Sequence, residues 1–222
     1  MKTLLINAHP DYTNSSHFSN QLQKKFVQLF EKRFPIEELT ILTLYESDIP
    51  RIEHGELLSV WNKQASNEKL SESELKIAAQ SAKLLEQFKE HHRLVIVTPL
   101  HNFNVTSRMK DYLDNVMIAS ETFRYIADPL ENGKMSVPLL VDDYKALLLF
   151  ASGSIYTQGD FYGNVDFAPH YLKMMFTELM GFSTFAIVRA EGTSILPVDE
   201  ETILSKAFIE VEKAFLTLYD DK

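Results

Sequence analysis

Residues 94–116 read LVIVTPLHNFNVTSRMKDYLDNV. Four apolar residues, three of them β-branched, run into Pro99. A short loop then mixes a histidine, two asparagines and a phenylalanine. After it Met109, Tyr112, Leu113 and Val116 recur at helical spacing. A short apolar run closed by a proline suits a strand covered on both faces, and the following pattern predicts a helix over residues 107–119. A strand that ends in an unusual loop and continues as a helix is the unit from which parallel α/β sheets are built.

The same alternation extends in both directions. Upstream, residues 2–8 read as a first strand. Residues 11–16 form a polar turn, and Phe18, Leu22, Phe26 and Phe30 recur at fourfold spacing in an amphipathic helix. Residues 38–44 make a second strand. An irregular excursion over 45–67 carries Pro50 and Trp61, and a helix over 71–89 opens on Ser-Glu-Ser-Glu. Downstream come an excursion over 122–145, a fourth strand over 146–151 and a long loop over 152–165. A helix over 166–180, a fifth strand over 182–190 and a closing helix over 200–219 complete the chain. Five strands alternating with helices predict a doubly wound, flavodoxin-like parallel sheet of order 2-1-3-4-5 in a single domain spanning 1–222. Ligands of such sheets sit beyond the carboxyl ends of the strands, near the switch between strands one and three. Three loops should therefore meet: those after strand one (9–19), strand three (99–104) and strand four (152–156).

Composition narrows the function classes. The chain has 222 residues, 45% of them apolar and 24% charged, with no cysteine and a formal net charge of -9. Without cysteine there is no disulfide, thiol redox chemistry or cysteine-ligated metal. An acidic chain is a poor partner for nucleic acid, which needs basic stripes. No apolar run approaches the ~18 residues of a membrane span, and the one near the N-terminus is too short for a secretory signal. Cytoplasmic residence is compatible with this and is the expectation.

Each loop admits a plain reading and a functional one. In HPDYTNSSHFSNQL the Ser and Asn residues could cap the first helix, which is the default because nearly every helix needs a cap. The same N–H groups and hydroxyls would equally suit a phosphate. No GxGxxG and no GxxxxGK[ST] occurs, so dinucleotide and P-loop fingerprints are missing. In the third-strand loop Pro99 would set the turn, and Asn102 would either bond a ligand ring or tie the loop. Phe103 would be core or a flat apolar wall.

Taken together, TPLHNFNVTSRMKDYLDNV, the ASETFRY after it, the later GNVDFAPHYLKMMFTELMGF and the NAHP opening resemble the FMN-dependent NADH:azoreductase and quinone reductase family over roughly residues 2–192. The resemblance implies a flavodoxin-like homodimer with two sites at its interface. FMN would pass two electrons from NAD(P)H to a quinone or azo compound. It implies cofactor contacts at His9, His17, Phe18 and Ser19 in the phosphate loop. Pro99, Leu100, His101, Asn102 and Phe103 would lie along the isoalloxazine, and Ala151, Ser152, Gly153 and Ser154 in the fourth-strand loop. Phe123, Tyr125, Tyr156 and Phe167 would shape the substrate cavity, part of it from the second subunit. His101 or Tyr125 could assist protonation or orient the substrate. The chain departs from the family pattern at several points: Leu100 replaces Met, His101 replaces Tyr or Trp, and His17 stands where Ser is common. Ser152-Gly153-Ser154 replaces Arg-Gly-Gly. A positive φ at Ser154 would cost roughly 1–2 kcal/mol.

Seven histidines raise the question of a metal, but their spacing matches no zinc pattern, and His91-His92 suit a helix end. No GxSxG supports a hydrolase. Two other classes stand beside the oxidoreductase. One is a flavodoxin-type electron carrier, against which the excursions at 45–67 and 122–145 argue because they would build a pocket. The other is a flavin-less regulatory or interaction protein.

Overall fold

The structure, a computed structural model, describes residues 2–220. Its main sheet contains β1 (Thr3–Asn7), β2 (Leu39–Thr43), β3 (Arg93–Pro99), β6 (Lys145–Ser152) and β7 (Thr184–Glu191). All neighbours are parallel, in the order β2-β1-β3-β6-β7. Between β3 and β6 the chain makes a separate antiparallel hairpin, β4 (Phe123–Tyr125) with β5 (Ser136–Pro138). With the hairpin set aside, the order is the expected 2-1-3-4-5.

Successive side chains of a strand point to opposite faces, and each face of this sheet has its own helices. Leu4, Ile6, Leu94, Ile96, Ala146 and Leu148 face α3 (Glu72–Glu90), α4 (Ser107–Val116) and α5 (Phe167–Lys173). Leu5, Val95, Val97, Leu147 and Leu149 face α1 (Phe18–Arg33) and α6 (Glu200–Tyr219). This two-sided covering is why β1 and β6 are buried at every position and read as unbroken apolar runs. Leu22, Phe26 and Phe30 bring the buried stripe of α1 onto the sheet. Each fully buried Phe contributes about 1.5–3 kcal/mol. At the amino end of β3 the buried Arg93 guanidinium is held by the Asp143 carboxylate at 2.6 Å.

Several boundaries differ from the sequence reading. The helix expected over 107–119 stops at Val116, and the last strand runs Thr184–Glu191 rather than 182–190. The excursion over 45–67 contains α2 (Leu57–Ala65), and that over 122–145 contains the hairpin. The helix expected over 166–180 is α5 continued by a π-helix, Met174–Met180. It ends at Gly181 with φ 101°. A Cβ there would stand 2.8 Å from Pro138 Cβ, so the hairpin's approach demands glycine at this position.

Candidate active site

The three loops do meet. Ala8 N–H donates to Val97 C=O at 2.8 Å, and Leu100 N–H donates to Ala151 C=O at 2.7 Å. The parallel ladder thus continues one residue beyond the strands. Thr106 stands at the N-cap of α4 but caps nothing there. Its buried hydroxyl donates instead to Ala8 C=O at 3.1 Å, binding the third-strand loop to the first. Topology alone brings these loops together, because β1, β3 and β6 are neighbours in register.

The first loop is braced from inside. The Asn20 amide donates to Asp11 C=O and Asn14 C=O at 3.2 and 2.8 Å and accepts from Asn7. Asn14 Oδ1 accepts from Ser16 N–H and Ser16 Oγ. The expected side-chain capping of α1 is not made: its N-cap is His17, which forms no cap bond. Among the described residues the N–H groups of Phe18, Ser19 and Asn20 have no acceptor. Ser19, 1% exposed, has a hydroxyl with no partner either. Buried polar groups are almost always hydrogen-bonded. Three free N–H groups and an orphan hydroxyl at the positive end of a 16-residue helix could form a cradle for an anion. His9 and His17 flank it with rings stacked at 4.3 Å. Burial, and then the neighbouring His17, hold the His9 imidazole below its ordinary pKa. Asp11 is held down by the hydrogen bond from His17.

The third-strand loop is a two-residue turn. Asn102 and Phe103 both have positive φ, 47° and 64°. His101 and Asn104 close the turn with reciprocal backbone bonds of 3.0 Å. Pro99 is the last residue of β3, paired with Ala151, so the turn is set two residues later than expected. The Asn102 side chain ties nothing among the described residues and remains free. Phe103 is 43% exposed rather than core. A phenylalanine in the left-handed region is a strained residue, and it stands at the rim where a ligand would lie.

In the loop after β6, Ser154 is not at positive φ, so its backbone carries no left-handed strain. Gly153 is closely approached: a Cβ would meet Ser194 Oγ at 3.0 Å, so a larger residue would make that side chain give way. Ser152 Oγ donates to Ser154 C=O at 2.9 Å, and Ala151 is buried in β6. A carboxylate–guanidinium clasp anchors the rest of this loop. Glu191 accepts from Tyr156 N–H and Thr157 Oγ1, and Arg189 bridges Glu191 and Asp166. The sequence reading missed this clasp, and also Asn7, Asn20 and Thr106. Isolated polar residues carry no pattern until tertiary neighbours give them partners.

Of the expected cavity residues, Tyr156 is buried with its ring against Tyr162 at 5.5 Å. Phe161 and Tyr162 therefore offer the exposed aromatic surface of this loop. Phe167 is exposed at the start of α5. Phe123 and Tyr125 lie on the hairpin, ring against ring at 5.4 Å, and Tyr125 is 72% exposed. No hydrogen bond or ring contact among the described residues joins these two to the three loops.

The doubly wound sheet sets an unsatisfied helix start after β1 beside a strained turn after β3, at the carboxyl edge where ligands of flavodoxin-like sheets bind. The chain belongs to the family described as flavodoxin-like fold, whose profile matches residues 1–215. It is 49% identical to "FMN-dependent NADH:quinone oxidoreductase 1" of Lactiplantibacillus plantarum, over 99% of both chains. It is 46% identical to the "FMN-dependent NADH:quinone oxidoreductase" of Streptococcus agalactiae, again over 99% of both. Among solved structures it is similar to an FMN-dependent NADH-azoreductase from Bacillus anthracis in complex with FMN. There the TM-score is 0.88 at 40% identity, over 99% of both chains.

Proposed function

We propose that this chain is an FMN-dependent NADH:quinone oxidoreductase that also takes azo compounds, acting as one flavodoxin-like domain over 1–222. Its full-length relatives carry these activities in their names. The observation that carries the reading is the unsatisfied cradle of Phe18, Ser19 and Asn20 N–H with Ser19 Oγ. A phosphate monoester supplies the acceptors that this cradle lacks. When bound, FMN supplies two-electron transfer between NADH and the acceptor.

The chain's own residues bind, orient and exclude water. His9, His17, Phe18 and Ser19 hold the phosphate end. Pro99, Leu100, His101, Asn102 and Phe103 flank the ring, with the free Asn102 amide available to its polar edge. Ala151, Ser152, Gly153 and Ser154 line the opposite side. Phe123, Tyr125, Tyr156 and Phe167 shape the substrate slot, and His101 or Tyr125 orients the acceptor or moves a proton to it. Among the described residues no hydrogen bond or ring contact joins Phe123 and Tyr125 of the β4–β5 hairpin to the three loops, which supports a homodimer in which the partner's hairpin closes the slot.

An anaerobic spectrum of the purified protein before and after NADH tests the reading. The expected result is a visible flavin band that NADH bleaches directly and a quinone restores. A colourless chain that cannot be reconstituted with FMN would overturn it. So would an FMN-loaded chain inert to NADH, which would be the behaviour of an electron carrier.

A further inference from the structure

At the phosphate end the two histidines have different hydrogen-bond assignments. Asp11 N–H donates to His9 Nδ1 at 3.0 Å, so the His9 proton sits on Nε2, and a second proton on Nδ1 would face a donor. His17 Nε2 lies 2.7 Å from Asp11 Oδ2, which fixes Nε2–H as a donor to the carboxylate. Its Nδ1 has no partner among the described residues. The stacking at 4.3 Å leaves room for one positive charge, because two adjacent imidazolium rings would repel. The pair therefore offers one fixed donor, His9 Nε2–H, and one ring nitrogen, His17 Nδ1, with no partner among the described residues.

We propose that FMN seating is proton-linked in this chain: the phosphate dianion is received together with one proton from solvent, placed on His17 Nδ1. This rests on the FMN reading and deepens it. The groups facing the pair support the assignment. From β1 comes Asn7, whose Oδ1 accepts from His9 N–H. The loop contributes the Asp11 carboxylate, and α1 contributes the neutral Asn20 and Gln21. From α6, Glu200 reaches only Gln21, at 3.1 Å. The third-strand loop contributes the Thr106 hydroxyl, already bound to Ala8. No lysine or arginine bonds to or pairs with either ring among the described residues. The dianion's charge is thus met by helix N–H groups, the Ser19 hydroxyl and the one cation the pair can form. The proton balance is simple: solvent gives one proton, His17 holds it as imidazolium, and Asp11 stays a carboxylate. Phosphate monoesters have a second pKa of about 6, so above neutral pH the ligand arrives as the dianion and takes up no proton itself.

Calorimetric titration of the full chain, freed of flavin, with FMN at pH 7.5 in HEPES and in Tris reads the linked protons. The two buffers differ in ionisation enthalpy. We expect uptake of about one proton per FMN, and a Kd that rises about tenfold per pH unit above that pH by linkage. Riboflavin, without the phosphate, should bind with no uptake. His17→Gln should abolish uptake, whereas His9→Gln should weaken FMN and keep it. FMN binding without uptake overturns this inference and leaves the functional reading standing; so does undiminished uptake in His17→Gln. No FMN binding at all removes both. If His17→Gln does not fold, the wild-type pH slope and the riboflavin control decide.

Discussion

Phe103 concentrates the conflict between folding and function in one residue. Its φ of 64° is a conformation in which a bulky side chain costs roughly 1–2 kcal/mol, and its ring is half in solvent, so burial does little to offset that cost. Such strain persists where the surrounding structure over-determines it and commonly marks a functional site. Phe103→Gly should therefore leave the flavin-free chain at least as resistant to urea as the wild type, while FMN binds about tenfold more weakly. Denaturant midpoints and a fluorescence titration check the two halves separately. A large loss of stability would show that the ring serves packing instead. Gly153 teaches the converse. It resembles a turn glycine in sequence, yet its backbone needs no positive φ and its small size makes room for Ser194.

Two helices show how local chemistry and tertiary contact divide the work. The start of α3 is local: Ser71 and Glu74 form a reciprocal capping box, and the Lys63 ammonium of α2 lies 2.8 Å from the Glu74 carboxylate. Lys63, then the Ser71 backbone, lowers the Glu74 pKa from 4.5 to about 2. A depressed carboxylate stabilises fully above its unfolded value and loses that contribution as pH falls through the folded one. The stabilisation from this box should thus be flat above about pH 4.5 and decline between there and about pH 2. Glu74→Gln should remove that part of the pH dependence, read as denaturant midpoints against pH. The end of the π-helix is tertiary. Gly181→Ala combines a left-handed backbone with a 2.8 Å contact to Pro138 Cβ, and should cost about 2 kcal/mol or more by thermal or urea unfolding. An unchanged midpoint would mean that the hairpin can give way freely.

Across the molecule, large apolar side chains stand exposed on the loops beyond the strands and the start of α5, at Phe103, Phe161 and Phe167, and on the β4–β5 hairpin, at Tyr125. Contiguous exposed apolar surface marks a site of association or ligand binding. The proposed homodimer makes both explanations one. Sedimentation should give twice the monomer mass at micromolar concentration. Tyr125→Asp should raise the dimer dissociation constant about tenfold and lower quinone turnover with it. A monomeric wild type with full turnover would sink the shared site.

The order of the main sheet was legible because burial on both faces forces apolar runs, and the helices between them keep their 3.6-residue period. The three ligand loops were legible as a consequence of that order. The combination of TPLHNFNVTSRMKDYLDNV, ASETFRY, GNVDFAPHYLKMMFTELMGF and the NAHP opening pointed to the family before any geometry. The change of the 166–180 helix into a π-helix over Met174–Met180 was not legible, since the sequence pattern is helical throughout. Nor was the bare helix start at Phe18, where Ser and Asn residues able to cap are drawn instead into the loop by Asn20. Sequence determined the five strands of the main sheet and the loops that join them, though not the hairpin within 122–145, because periodicity and composition are properties of the chain. Tertiary structure decided which polar groups were left without partners, because a hydrogen bond depends on what the rest of the fold brings within about 3 Å.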